Sequence, residues 1–155
     1  MRKSIDLIIP TDPRSKQSAR FSIQNGKLHS HKDSKVVAKE NEILYLLKDQ
    51  IPKDWELFRD KPLKATCLFV FPPVEKLTNK KHTKLLESGE IFYKVTKPDL
   101  TDNLPKLIFD VLEGIVMDND SRICSMESHK IYGLEPRYEI TIEVMENVNF
   151  LKPKS

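Results

Sequence analysis

The sequence predicts an α+β protein in which a mixed β-sheet packs against helices, and three observations carry that prediction. Period-two alternation at both ends of the chain, in Ile5–Ile9 and again in Tyr138, Ile140, Ile142 and Val144 between Glu139, Thr141 and Glu143, is the pattern of half-buried strands. A nearly continuous apolar run, Leu63 to Phe71, reads as a central strand covered on both faces. Two stretches between these carry apolar residues at helical spacing and a basic stretch before Gly89 reads as a third, short helix, so the order is β, hairpin, α, β, α, α, β, β. At 155 residues, 1–155 is expected to form one domain with a core of its own. Residues 145–155, which carry lysine and proline, are expected to fray.

Taken in order, Ile5–Ile9 is a short strand stopped by Pro10. Thr11–Gln17 then forms a loop whose cations, Arg14 and Lys16, lead to Arg20. It is either a solvated linker or a clamp on DNA phosphates, for which arginine's fork is well matched. Phe21–Ile23 and Lys27–His29 flank Asn25-Gly26, the strongest hairpin signal in the chain. From Asp33 to Lys48 the chain is helical, with Val36, Ile43, Leu44 and Leu47 on one face, and Pro52 follows it. Pro72-Pro73 breaks the central strand. Lys76, Lys80, Lys81, His82 and Lys84 then crowd a short helix that ends near Gly89, with Lys94 and Lys97 continuing the basic run. His82 reads as a surface residue. Arg122–Tyr132 and Tyr138–Val144 read as two strands turning at Gly133.

Candidate chemistry concentrates between Lys97 and Asp120. Leu104, Leu107, Ile108, Val111 and Leu112 form one buried helical stripe. Asp102, Lys106 and Asp110 fall four residues apart on the other face. Thr101 or Asp99 can cap the start, where acids suit the helix dipole, and Pro105 is tolerated in the first turn. Gly114 ends the helix before a second acidic cluster, Asp118 and Asp120. Taken singly, these acids are caps and turn residues. Together they form a set that can place oxygen ligands around Mg²⁺.

Composition sets the outer limits. Twenty-six basic against 23 acidic residues give +3, mild for a nucleic-acid binder, so the placement of charge matters more than its sum. Cys67 and Cys124 have no metal-site spacing and read as buried thiols of a reducing compartment. No apolar run reaches the ~20 residues of a membrane span and no signal-peptide core opens the chain. The expectation is a cytoplasmic protein.

The string Lys97-Pro98-Asp99-Leu100-Thr101-Asp102-Asn103, followed by Lys106, Asp110–Gly114, the acidic cluster, Lys130–Tyr132 and Pro136-Arg137-Tyr138-Glu139-Ile140, resembles the RusA family of Holliday junction resolvases. Ile9-Pro10 and Ser18-Ala19-Arg20-Phe21 are similar to that family's opening strand and Arg-rich loop. Two residues, Leu100 and Thr101, stand where the family has one between its acids, and Asn119-Asp120 stands where it has an adjacent acidic pair. The resemblance implies a RusA-like fold and a bacterial or phage-encoded crossover junction endodeoxyribonuclease of recombination and repair. It also implies Asp99, Asp102 and Asp120 as catalytic metal ligands, with Asp118 in reserve, and Lys106 as the catalytic lysine. Mg²⁺ is the expected ion, with Mn²⁺ substituting, and no small-molecule cofactor is expected. Lys106 would stabilise charge on the phosphate, Asp110 would support it, and Arg14, Lys16, Arg20, Lys76, Lys80, Lys81, Lys84, Lys94 and Lys97 would contact branched DNA. The two-fold symmetry of a four-way junction points to a homodimer. Two other classes stay open: a catalytically weak junction binder of the same fold, and an unrelated α+β protein whose acids only cap helices and turns.

Overall fold

The computed structural model describes residues 2–16, 20–31, 34–74 and 79–154, without the side chains of 20–22 and 29–31. Its elements are β1 (Ser4–Ile9), β2 (Arg20–Gln24), β3 (Lys27–His31), α1 (Ser34–Leu47), β4 (Leu63–Phe71), α2 (Lys80–Glu87), β5 (Phe92–Tyr93), α3 (Asn103–Leu112), β6 (Ile123–Tyr132) and β7 (Arg137–Val144). The result is α+β with a mixed sheet, as the apolar patterns predict. Five strands are ordered β1-β7-β4-β6-β5, and β2 and β3 form a separate hairpin. Among the described residues no helix is long and apolar enough to cross a membrane.

Alternation decides which side of the sheet is covered. Ile5, Leu7 and Ile9 of β1, the odd residues of β4, and Tyr138, Ile140 and Ile142 of β7 are buried with α1 and α3 in one core. On the opposite face Val70 is buried but Lys64, Thr66 and Leu68 stay partly exposed, so β4 is central yet covered on both faces only at its end, less fully than its sequence suggests. The α3 stripe is buried as predicted, Leu104, Leu107, Ile108 and Leu112 fully so. Each such side chain contributes about 1.5–3 kcal/mol by leaving water. On α1, Val36, Ile43 and Leu47 face the core, whereas Leu44, expected among them, is exposed. Cys67 is buried, which pushes its thiol up to about 12, but Cys124 is exposed, contrary to expectation.

Asn25 and Gly26 both adopt positive φ, the geometry that closes a two-residue hairpin with strand-matching twist. The predicted turn at Gly133 is different. β6 and β7 are not neighbours: β4 lies between them, parallel to β6 and antiparallel to β7. The chain crosses the end of β4 at Gly133, whose N–H donates to the Phe71 carbonyl. A Cβ there would meet Val70 Cγ1 at 2.5 Å, so this crossing needs glycine. At the other side of the sheet Gln50 covers the edge of β1: Ile8 N–H donates to its Oε1 (2.9 Å) and its Nε2 donates to the Ile8 carbonyl (2.6 Å).

Candidate acidic site and nucleic-acid surface

The acids sit on two connections that the sheet and α3 hold in place. The first connection runs from β5 to α3 and contains the cis bond Lys97-Pro98. Lys130 of β6 donates from Nζ to the carbonyls of Thr96 and Pro98, each at 2.7 Å. Asp99 N–H donates to Asn103 Oδ1 (3.0 Å) and Leu104 N–H donates to the Asp99 carbonyl (3.1 Å), fastening Asp99 to the first turn of α3. Asp102 occupies the N-cap position, yet its side chain makes no capping hydrogen bond. Of the expected caps, Asp99 serves the helix start only through its backbone carbonyl, which takes the Leu104 N–H, while Asn103 Oδ1 ties the Asp99 N–H back to that first turn.

The second connection leads from α3 to β6. Gly114, with φ of +85°, turns the chain and Met117 bridges back to Phe58. Asp118 N–H donates to the Phe58 carbonyl (3.0 Å), and Asp120 opens a single 3₁₀ turn, Asp120–Arg122, that lies against α3. Asp120 N–H donates to Glu113 Oε1 (3.2 Å). A hollow of about 310 Å³ beside it is lined by Phe109, Asp120, Ile123, Cys124, Ser125 and Met126.

Partners separate the acids into two groups. Asp118 receives the Arg122 fork at 3.1 and 3.3 Å, and Arg122 also reaches Asp60. Asp110 is held by Lys16 at 2.6 Å. Asp99, Asp102 and Asp120 are exposed, and among the described residues their carboxylates have no hydrogen-bond or ion-pair partner. Lys106 is likewise exposed and unpaired among them, not bridged to Asp102 or Asp110. Among the described residues no three His, Cys, Asp or Glu side chains are grouped as a formed metal site; Asp99 and Asp102 stand at the start of α3, and Asp120 opens the 3₁₀ turn that packs on the same helix.

The cationic candidates also divide. Arg14, Lys80, Lys81, Lys84 and Lys97 are exposed and available to an anionic ligand. Lys94 is not a free phosphate contact: its ammonium lies 5.2 Å over both Phe71 and Tyr132 and donates to Thr96 Oγ1. Lys16 is turned inward, as Asp110 and Glu40 draw it onto the helices. Lys76 and the side chain of Arg20 lie outside the described residues. His82 is half-buried, with its ring edge-on to Phe92 at 5.8 Å, so it packs rather than lying on the surface.

The family model for the endodeoxyribonuclease RusA matches residues 10–143, which contain every element from β2 to β6 and both acidic connections. The chain belongs to the RusA endodeoxyribonuclease family. It is also similar to the uncharacterized protein YqaN of Bacillus subtilis (strain 168), at 25% identity over 140 residues, which cover 84% of this chain and 89% of that protein. Within this RusA domain, sequence reasoning missed Lys130 and Asn103 as positioning groups. Lys130 acts on backbone carbonyls 32 and 34 residues away, a contact that leaves no side-chain pattern. Asn103 is the last residue of the quoted acidic string, and its position just after two acids was the available signal.

Proposed function

We propose that this RusA-family chain acts as a homodimeric, divalent-metal-dependent endodeoxyribonuclease that resolves four-way DNA junctions by paired symmetric nicks, in recombination and repair. The observation that carries the reading is the sorting of charges. Asp110 and Asp118 are neutralised by Lys16 and Arg122, while Asp99, Asp102, Asp120 and Lys106 remain exposed and unpaired among the described residues. Hard carboxylate oxygens suit Mg²⁺, with Mn²⁺ as substitute, since such an ion is commonly held by one or two carboxylates plus water and substrate phosphates. Asp99, Asp102 and Asp120 would hold it. When bound, the ion would supply Lewis-acid polarisation of the phosphate and a readied water for in-line displacement.

The chain's own groups do the rest. Lys106, one turn after Asp102, offers its ammonium to phosphate oxygens as negative charge accumulates in the displacement. Lys130 and Asn103 hold the Asp99 loop against the start of α3. Arg14, Lys80, Lys81, Lys84 and Lys97 would offset the repulsion between DNA and the exposed acids, a sequence-independent contribution that weakens with salt. Two-fold symmetry of the substrate calls for two equivalent sites, hence the dimer.

Incubating the protein with a synthetic four-way junction, with Mg²⁺, Mn²⁺ or EDTA, tests this. Symmetric nicks that require the ion are expected, and Asp102→Asn should lower nicking at least a hundredfold while junction retardation persists. Full nicking by Asp102→Asn would remove that residue from the site. That no three acids are grouped among the described residues favours a second reading, a junction binder with little catalysis. Retardation of the junction without nicks in either metal would establish it.

A further inference from the structure

Lys16 joins three elements at one cation. Its ammonium lies 2.6 Å from Asp110 Oδ2 on α3 and 3.6 Å from Glu40 Oε1 on α1. Its backbone N–H donates to the Asn103 carbonyl at the start of α3 (3.0 Å). Only 20% of the side chain is exposed. Burial alone would favour loss of the proton, but the Asp110 hydrogen bond and charge, followed by Glu40, outweigh it and raise the Lys16 pKa. The ammonium is therefore a permanent charge in this position.

Asp110 follows Lys106 by four residues, so the two side chains share one strip of the α3 surface. A carboxylate left unengaged there would attract Lys106, and it would also set an uncompensated negative charge beside a site meant for phosphates. Neither condition holds. Asp110 is engaged by Lys16, and Lys106 stays exposed without an ion pair among the described residues.

We propose that Lys16 is a positioning residue that, by holding Asp110, keeps Lys106 free to meet the phosphate oxygens of DNA. This rests on the role proposed above for Lys106. It replaces the expectation, drawn from sequence, that Lys16 itself grips the DNA backbone, and it assigns Asp110 to Lys16 rather than to direct support of Lys106.

The test uses the full chain in four forms: Lys16→Met, Asp110→Asn, the double variant, and Lys106→Met. Two readouts run in parallel: single-turnover nicking of a four-way junction, and the acetylation rate of Lys106 under limiting acetic anhydride, followed by mass spectrometry. Lys16→Met should nick at least fivefold more slowly and acetylate Lys106 more slowly, with junction affinity and its salt dependence little changed. Adding Asp110→Asn should bring both rates back to within about threefold of the parent. Asp110→Asn alone, a near-isosteric change that keeps the fold testable if Lys16→Met unfolds, should retain both rates. The inference is overturned if the double variant does not recover, or if Asp110→Asn alone is inactive. It is equally overturned if Lys16→Met instead weakens junction binding and lowers the salt slope by about one, the signature of a phosphate contact. Should Lys106→Met nick at the parent rate, the catalytic reading falls and this role with it. An inactive Lys106→Met together with unchanged Lys106 acetylation in Lys16→Met defeats this inference alone.

Discussion

Lys130 shows how a single side chain can govern an acid that it never touches. Its two hydrogen bonds to the Thr96 and Pro98 carbonyls tie the loop before Asp99 to β6. Bonds from a charged donor are worth roughly 1.5–3 kcal/mol each where partly shielded. Lys130→Met should loosen the loop without unfolding the sheet. The concentration of Mg²⁺ giving half-maximal junction nicking is expected to rise several-fold, with the melting temperature lowered by only a few degrees. An unchanged Mg²⁺ midpoint would show that the clamp does not serve Asp99. At this scale the sequence made the acids conspicuous, because Asp99, Asp102, Asp118 and Asp120 crowd into a short stretch. It could not say which of them would be neutralised. Arg122 claims Asp118 by i, i+4 geometry, a pairing visible in principle, whereas Lys16 reaches Asp110 across 94 residues.

Elements with a strong local period were legible, and those that depend on distant neighbours were not. α3 has its stripe where the spacing puts it, and Asn25-Gly26 closes the hairpin because both residues tolerate positive φ. β5 has two residues, too few for any periodic signal. Gly133 looked like a hairpin turn since β6 and β7 flank it, yet its role is to clear Val70 as the chain passes over β4, a requirement set by topology. The link between α1 and the loop after β1 gives this scale its own prediction. Thr11 Oγ1 donates to Glu42 Oε1 (2.6 Å) and Lys39 approaches Glu42 Oε2 (2.9 Å). The Thr11 hydrogen bond first, and Lys39 after it, hold the Glu42 carboxyl below its usual range, against the opposing effect of burial. The folded state thus binds this proton more weakly than the unfolded chain. Its contribution is present above the unfolded pKa of about 4.3 and is lost as pH falls through the lower folded value. Urea midpoints measured from pH 6 to pH 3 should fall less steeply for Glu42→Gln than for the parent. Parallel curves would exclude the link.

For the whole molecule, fold class and family followed from the sequence, while the arrangement of charge over the surface did not. A net +3 leaves room for several distributions, and two of the cations expected to face DNA turn inward, Lys16 to two carboxylates and Lys94 to two rings. Burial of a charge on a partner is a tertiary decision, and the local pattern around Lys16 reads as an exposed loop. The five-stranded sheet carries a further consequence through Gln50. Its side-chain amide imitates a peptide group against Ile8, donating and accepting where a sixth strand would. Answering the N–H and C=O of Ile8 near the end of this outer strand interrupts the row of open groups on which another chain could grow. Gln50→Ala should reopen that border, and concentrated solutions are then expected to scatter light on standing while the parent stays clear; equal clarity would mean that Ile8 needs no such stopper.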